Sequence, residues 1–420
     1  MNGKIRTFSV LLLMGLFLAF LSSEAFARGP IQRQSFAKTT GTPIQTLSNI
    51  GNWAYWILAD GTSANDPFTG DSGGIYPRGT AGAIFTDGLV WGGFVRDGKD
   101  PALRVGGTTY RTGLKPGWVE NGQPADPNAD DVRVYRIRSD WRTLTPGLVA
   151  RDAAELNAVN LSEVTDAMID AVINQYATDW KEWPVEHGAP FVDVNNNGVY
   201  DPILDADGFP DETQGDYPGI ANADQVVWFA MNDFDESQAA FVYGSPSMHL
   251  EVQVTTWAYN QPGAKLGQLI FKQYTFINHG AQIDSMFVAQ WSDPDLGDYG
   301  DDVVGCDSVL SIGFVYNGGP VDAAYDAFGL PPASAGYDFF QGPIIFTGND
   351  ADTAVFNLQK RIGWKNLPMT SFSWFAAGSD ISDPRLGDYE DGTKPWYNML
   401  NGFIPTNDLN NPTPYVHGSG

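Results

Sequence analysis

Between residues 191 and 217 the chain reads FVDVNNNGVYDPILDADGFPDETQGDY. Asp193, Asn195 and Asn197 alternate, Gly198 follows, and Asp201 comes three residues later. Side-chain oxygens at positions one, three and five of a loop, glycine at six and an acid at nine are the spacing of a calcium loop, and Val199 at position seven would offer its carbonyl. The match to an EF-hand stops there. Position twelve is Leu204 and not a carboxylate, and Pro202 opposes an exiting helix. The spacing therefore points to a calcium loop outside an EF-hand, with Asp205, Asp207 and Asp211 completing it or binding a second ion. The competing reading is a plain Asx-turn loop that uses Asn and Gly for backbone reasons.

A second acidic group, Asp293, Asp295, Asp298, Asp301, Asp302 and Asp307, stands between two apolar runs. Carboxylates held close together raise one another's pKa unless a cation compensates them, so calcium is expected here too. The alternative is a solvated acidic loop. A third group, Asp383, Asp388, Glu390 and Asp391, is sparser. All three offer only oxygen, which favours a hard cation over zinc or copper, and the four histidines form no HExxH motif.

Other chemistry is harder to place. Gly70-Asp71-Ser72-Gly73-Gly74 spells a serine-nucleophile segment, but no histidine precedes Ser72 and no strand-to-helix elbow surrounds it. A glycine-rich surface loop accounts for it better. Glycoside hydrolysis needs two positioned carboxylates, and spacing alone selects no pair from so many. Trp53, Tyr55, Trp56 and Trp91 could stack on sugar rings, although aromatics alternating in strands are more often core.

The elements that must position these groups are mainly strands. Residues 49 to 150 alternate short apolar runs with Gly, Pro and Asp, and DVRVYRIRSDW has period-2 alternation. Residues 152 to 181 carry a helical stripe, with Val164, Met168, Val172, Tyr176 and Trp180 every four residues, Ser162 as the expected cap and Pro184 beyond the end. Strand-type runs then return. HLEVQVTTW and LIFKQYTFIN are expected to pair as a hairpin. The expected fold is all-β, an antiparallel β-sandwich with a helical and calcium-loop insertion. Its parts are an N-terminal β region at 28–150, the insertion at 151–224, a β-sandwich region at 225–379 and a loop-rich tail at 380–420.

Composition narrows the function classes. The chain has 24 Lys+Arg against 50 Asp+Glu, a net charge of −26, which repels nucleic acid and anionic lipid. Its 43% hydrophobic content excludes an acidic disordered chain. Lys4, Arg6, the apolar run from Val10 to Leu21 and Ala25-Phe26-Ala27 read as a signal peptide over residues 1–27. No later run is apolar enough to span a bilayer, so no membrane span is expected in the mature protein. A single cysteine, Cys306, excludes an internal disulfide and is expected to be a buried thiol. An exported, acidic chain without disulfides needs other cross-links, and bound calcium would supply them.

Several phrases together (GNWAYWILADGTSA, GGIYPRGTAGAIFTDGLVWGGFVRDG, ADQVVWFAMND and WSDPDLGDYGDDVVGCDSVLSIGFVYNG) resemble those of a group of large, poorly characterised bacterial exported proteins. Many of that group end in a type IX secretion sorting domain or a similar β-sandwich tail. The likeness covers most of residues 47 to 420. It implies that Asp193 to Pro202 is a calcium loop similar to those of dockerin and thrombospondin repeats. It assigns no role to Asp293 to Asp307. This chain lacks a sorting tail and stops at TPYVHGSG in mid-loop, so further sequence is expected beyond it. The expected function is a secreted or cell-surface, calcium-stabilised, non-catalytic protein in adhesion or glycan binding, with glycans or cell-surface components as partners. A secreted polysaccharide-acting hydrolase and a passive structural or matrix component are the alternatives.

Overall fold

The computed structural model describes residues 44–357, 359–376 and 378–415. The signal-peptide segment lies outside the described residues. The described chain is β-rich, with antiparallel sheets, fewer helices and no closed barrel. Strands β1 (Gln45–Ser48) and β2 (Ala54–Leu58) pair, and β3 (Thr86–Val95) lies between β4 (Leu103–Gly107) and a later strand. The second main sheet orders β5 (Tyr135–Arg138), β6 (Gln225–Asn232), β7 (Leu250–Ala258) and β8 (Phe271–Asn278). β9 (Ile283–Asp293) returns to β3 in the first sheet. β10 (Asp302–Asp307), β11 (Ile312–Asn317) and β12 (Ser334–Asp338) form a smaller sheet in that order.

Side-chain alternation in β6 explains how these layers pack. Val227, Phe229 and Met231 point one way and join Tyr55, Ile57, Leu89 and Trp91 of the first sheet in one buried cluster. Val226, Trp228 and Ala230 point the other way, under helices α1 (Pro146–Leu156) and α2 (Asp166–Lys181), where Val149, Ala153, Val172, Tyr176 and Trp180 cover them. On the far side of the first sheet, α3 (Glu236–Tyr243) and α4 (Lys394–Leu400) bring Tyr243, Trp396 and Leu400 onto Val90, Val105 and Trp291. Tyr55, Trp56 and Trp91 are all buried, which makes them core. The expected pairing of HLEVQVTTW with LIFKQYTFIN is present as β7 and β8, from Leu250↔Asn278 to Trp257↔Phe271.

Three expectations need correction. The helix read within 152–181 starts later than its expected Ser162 cap and is preceded by a separate helix, α1. Asn160 and Glu163 form a capping box, and Thr165, not Ser162, caps α2 by accepting from Met168 N at 3.3 Å. Local hydrogen bonding thus sets where α2 begins, and the stripe from Met168 to Trp180 lies within it. The tail is not wholly loop. α4 starts with Pro395 in its first turn, where proline's missing N–H costs nothing, and it buries Trp396, Tyr397 and Leu400. Cys306 is exposed. It shares a strand face with Val304 on β10, the first strand of the small sheet, and both are exposed there.

Candidate cation sites, a buried polar network and a half-open cavity

The local spacing at residues 193–201 produces a tight turn. Asp193 accepts from Asn197 N at 3.2 Å and Gly198 N at 2.7 Å, and Asn197 Oδ1 accepts from Val199 N at 2.7 Å. Gly198 sits at φ +77°, a backbone conformation that a side chain would strain. The amide groups of Asn195 and Asn197 contact the two Asp201 oxygens at 3.2 and 3.1 Å. Turning either amide about its terminal torsion would present oxygen where nitrogen now stands, so these donors suit a hard cation. Asp216, which the spacing argument did not assign, is buried and accepts from Val194 N at 2.9 Å and Asp201 N at 3.1 Å. It ties the loop to the end of the acidic stretch.

The remaining acids of that stretch have partners of their own. Asp205 binds Arg142 at 2.7 Å and caps a turn through Asp207 N and Phe209 N, both at 2.9 Å. Lys181 Nζ reaches the Asp207 carbonyl at 3.3 Å. Asp211 accepts from Thr213 Oγ1 at 2.6 Å and from the Gln214 amide. The structure therefore brings Asp193, Asn195, Asn197 and Asp201 together and turns Asp205 and Asp211 to separate tasks.

The second acidic group divides in the same way. Asp307 caps the turn after β10 through Val309 N and Leu310 N. It sits at the opposite end of the strand from Asp302, about 17 Å away at the usual rise of an extended chain. Asp293 accepts from Tyr110 OH at 3.0 Å, and Asp298 caps a short turn through Gly300 N at 3.0 Å. Asp295 and Asp322 are buried. Asp322, distant in sequence, accepts from Asp298 N at 2.8 Å and Tyr325 N at 2.9 Å. Asp302 Oδ2 accepts from Leu296 N at 2.9 Å, while its Oδ1 is buried and has no hydrogen-bond partner among the described residues. Burial pushes the Asp302 carboxyl up to about 7, with Leu296 N opposing and Asp295, Asp301 and Asp322 adding to the rise. Asn317 Oδ1 is likewise buried without a partner, and its amide holds Asp301 at 3.0 Å.

Among the described residues no three His, Cys, Asp or Glu side chains form a ready-made metal cage. The loop draws half its side-chain donors from Asn, and the second group would have to tighten around an ion. In the third group, Asp388 caps a helical turn through Asp391 N at 2.9 Å and Glu390 pairs with Lys394 at 2.5 Å. The three described histidines each face a glutamate: His187 with Glu120 at 3.2 Å, His249 with Glu236 at 3.3 Å and His279 with Glu251 at 2.9 Å.

A polar network that sequence reasoning missed ties the sheets together. Asp87 is fully buried on β3. It accepts from Tyr337 OH at 2.7 Å and from Tyr55 OH, with Lys272 Nζ at 3.4 Å. Burial pushes the Lys272 ammonium pKa down and Asp87 pulls it back only in part. The signal was present in the sequence: Lys272 stands at an inward position of an otherwise alternating strand, between Tyr274 and the end of β8.

A cavity of about 270 Å³ opens between β5, β6, α2 and the end of the acidic stretch, lined by Ile137, Ser139, Trp180, Glu212, Tyr217 and Val226 among others. No helix among the described residues is long and apolar enough to cross a membrane. Comparison with protein-family models, curated proteins and solved structures finds no match to this chain.

Proposed function

We propose that the protein is an exported, calcium-stabilised, non-catalytic protein of the cell surface or medium that acts in adhesion through glycan binding, its two main sheets forming an antiparallel sandwich. The observation that carries this reading is Asp302. Its buried Oδ1 has no donor among the described residues, and the charges that act on it, Asp295, Asp301 and Asp322, have the same sign. A buried acceptor without a donor is costly. A divalent cation with oxygen ligands would relieve both the missing contact and the repulsion. Asp193, Asn195, Asn197 and Asp201 would hold a second ion in the loop. The resemblance noted above and the N-terminal segment support export.

The small sheet supports the glycan part. Val315 points into the core, so Phe314 and Tyr316 on either side of it point outward. Their ring centroids lie 6.2 Å apart at an interplanar angle of 34°, and Tyr316 is 45% exposed. Gly305 pairs with Phe314, and a Cβ there would come within 2.7 Å of the ring, so the glycine lets the ring lie across the strand. Two such rings offer apolar faces to the C–H faces of sugars.

Thermal melting with excess chelator and with millimolar calcium tests the first part, and a glycan array with a reducing-sugar assay tests the second. Higher melting in calcium and saturable binding without sugar release are expected. Identical melting curves would remove the calcium reading, and steady sugar release would favour the polysaccharide hydrolase.

A further inference from the structure

We propose that the outward face of the small sheet takes a cationic glycan, one built of sugars with free amines. The inference deepens the glycan reading above and rests on it. Residues that pair across antiparallel strands share a face, so the register sets what this face carries. Phe314 on the central strand β11 pairs with Gly305 and Gly336, and Ile312 pairs with Asp307 and Asp338. The outward residues of β12, Gly336 and Asp338 among them, are exposed, while Ala335 and Tyr337 pack toward the core. A Cβ at Gly336 would come within 3.1 Å of Ile312 Cδ1, as one at Gly305 would meet the Phe314 ring, so each apolar side chain lies over a glycine. The result is a low apolar strip of Tyr316, Phe314 and Ile312 along β11, with an acid on either side of the Ile312 end.

Charge selects the occupant. Residues 273–359, which include the whole small sheet, contain twelve Asp and not one Lys or Arg. The Asp338 side chain is exposed and has no hydrogen-bond or ion-pair partner among the described residues. The backbones of Asp307 and Asp338 stand two strand spacings apart, about 9.5 Å. Ile312 lies between them and Asp307 is turned to Val309 N and Leu310 N, so the pair is not a cage for one ion. An acidic glycan would be repelled here. Ammonium groups spaced along a chain would pair with the carboxylates and are also attracted to the faces of aromatic rings. The strip favours a sugar over a basic peptide. An extended peptide draws its affinity from unpaired backbone groups at a strand edge, and β11 is paired on both sides. Pyranose rings need only the apolar faces of Phe314 and Tyr316 beneath them.

The test is calorimetric titration, in millimolar calcium, with equal-length oligomers of glucosamine, N-acetylglucosamine and glucuronic acid and with tetralysine. The glucosamine oligomer is expected to bind at least tenfold tighter than its acetylated counterpart, and the glucuronic acid oligomer not at all. Asp338→Asn, an exposed change that keeps the side-chain shape, should cut that preference at least threefold. Phe314→Ala should weaken every sugar at least tenfold, with melting curves showing that the variants are folded. Asp350→Asn, at an exposed acid of the same stretch outside the small sheet, should change neither. Equal binding of the glucosamine and N-acetylglucosamine oligomers, or a preference that survives intact in Asp338→Asn, would overturn this inference and leave the glycan reading standing. Tetralysine bound in place of every sugar would overturn both in favour of a basic peptide, and so would wild-type protein that binds no oligomer and nothing on a glycan array.

Discussion

Two of the regions that bury acidic side chains treat the charge in opposite ways. Under α1 and α2, Arg136 forks onto Asp152 through two contacts of 3.0 and 2.8 Å, both side chains being only 4% exposed. Tyr176 OH adds a contact at 2.8 Å and Asn49 another at 3.0 Å. Burial pushes the Asp152 carboxyl up, but Arg136, Asn49 and Tyr176 outweigh it and leave the group below the ordinary carboxylate range. In the corner formed by Asp295, Asp302 and Asp322, burial acts in the same direction and the neighbours reinforce it, so Asp302 rises to about 7. For these two acids the counter-charge decides the state, since the more deeply buried Asp152 is the one held down. It does not always win: Asp179 on α2 is raised by burial even with Arg133 beside it. Asp152 has its counter-charge within the fold, whereas the acids beside Asp302 add to one another's charge.

The largest expected effect breaks the compensated region. Arg136→Met leaves Asp152 buried without its partner and should cost about 3–5 kcal/mol. The loss in denaturant melts should be equal with and without calcium; a loss that calcium restores would mean the two regions are not independent. Calcium removal comes next. At free calcium a hundredfold above its dissociation constant, each site contributes about 2.7 kcal/mol, so chelation should lower the midpoint by several degrees.

The corner should also respond to pH. The folded pKa of Asp302, about 7, lies above its ordinary value of 3.8. Its stabilising contribution is then fully present below the lower value and lost as pH rises through the upper one. Calcium-free protein should melt higher at pH 5 than at pH 8. Asp302→Asn should flatten that slope and raise the calcium-free midpoint at pH 8, while weakening the response to calcium. An unchanged slope in the variant would place the titration elsewhere. The smallest effect is expected at the exposed loop. Asp201→Asn should barely alter the calcium-free melt, because the carboxylate is solvated, yet it should reduce calcium stabilisation. Isothermal calcium titration of the two variants would show whether loop and corner bind separately.

Much of the strand pattern was legible because alternation is a local property. β5 to β8 follow from the period of their own residues, and the β7–β8 pairing from proximity along the chain. α4 was not legible, since Asp, Gly, Asn and Pro mark turns on either side and its stability comes from Trp396 and Leu400 packing on distant strands. The loop at Asp193 to Asp201 was readable to the residue, yet Asp205, three positions after Pro202, is claimed by Arg142 from a separate segment.

The sequence by itself determined the turn that gathers Asp193, Asn195, Asn197 and Asp201, because a few bonds of backbone and one glycine suffice to close it. Only the tertiary structure decided which acids are compensated. It set Arg136 on Asp152, brought Asp322 and Asn317 beside the Asp302 corner and carried Asp307 to the far end of a strand. Solvation and counter-charge depend on which segments pack together, and a carboxylate's place in the chain does not record its neighbours in space.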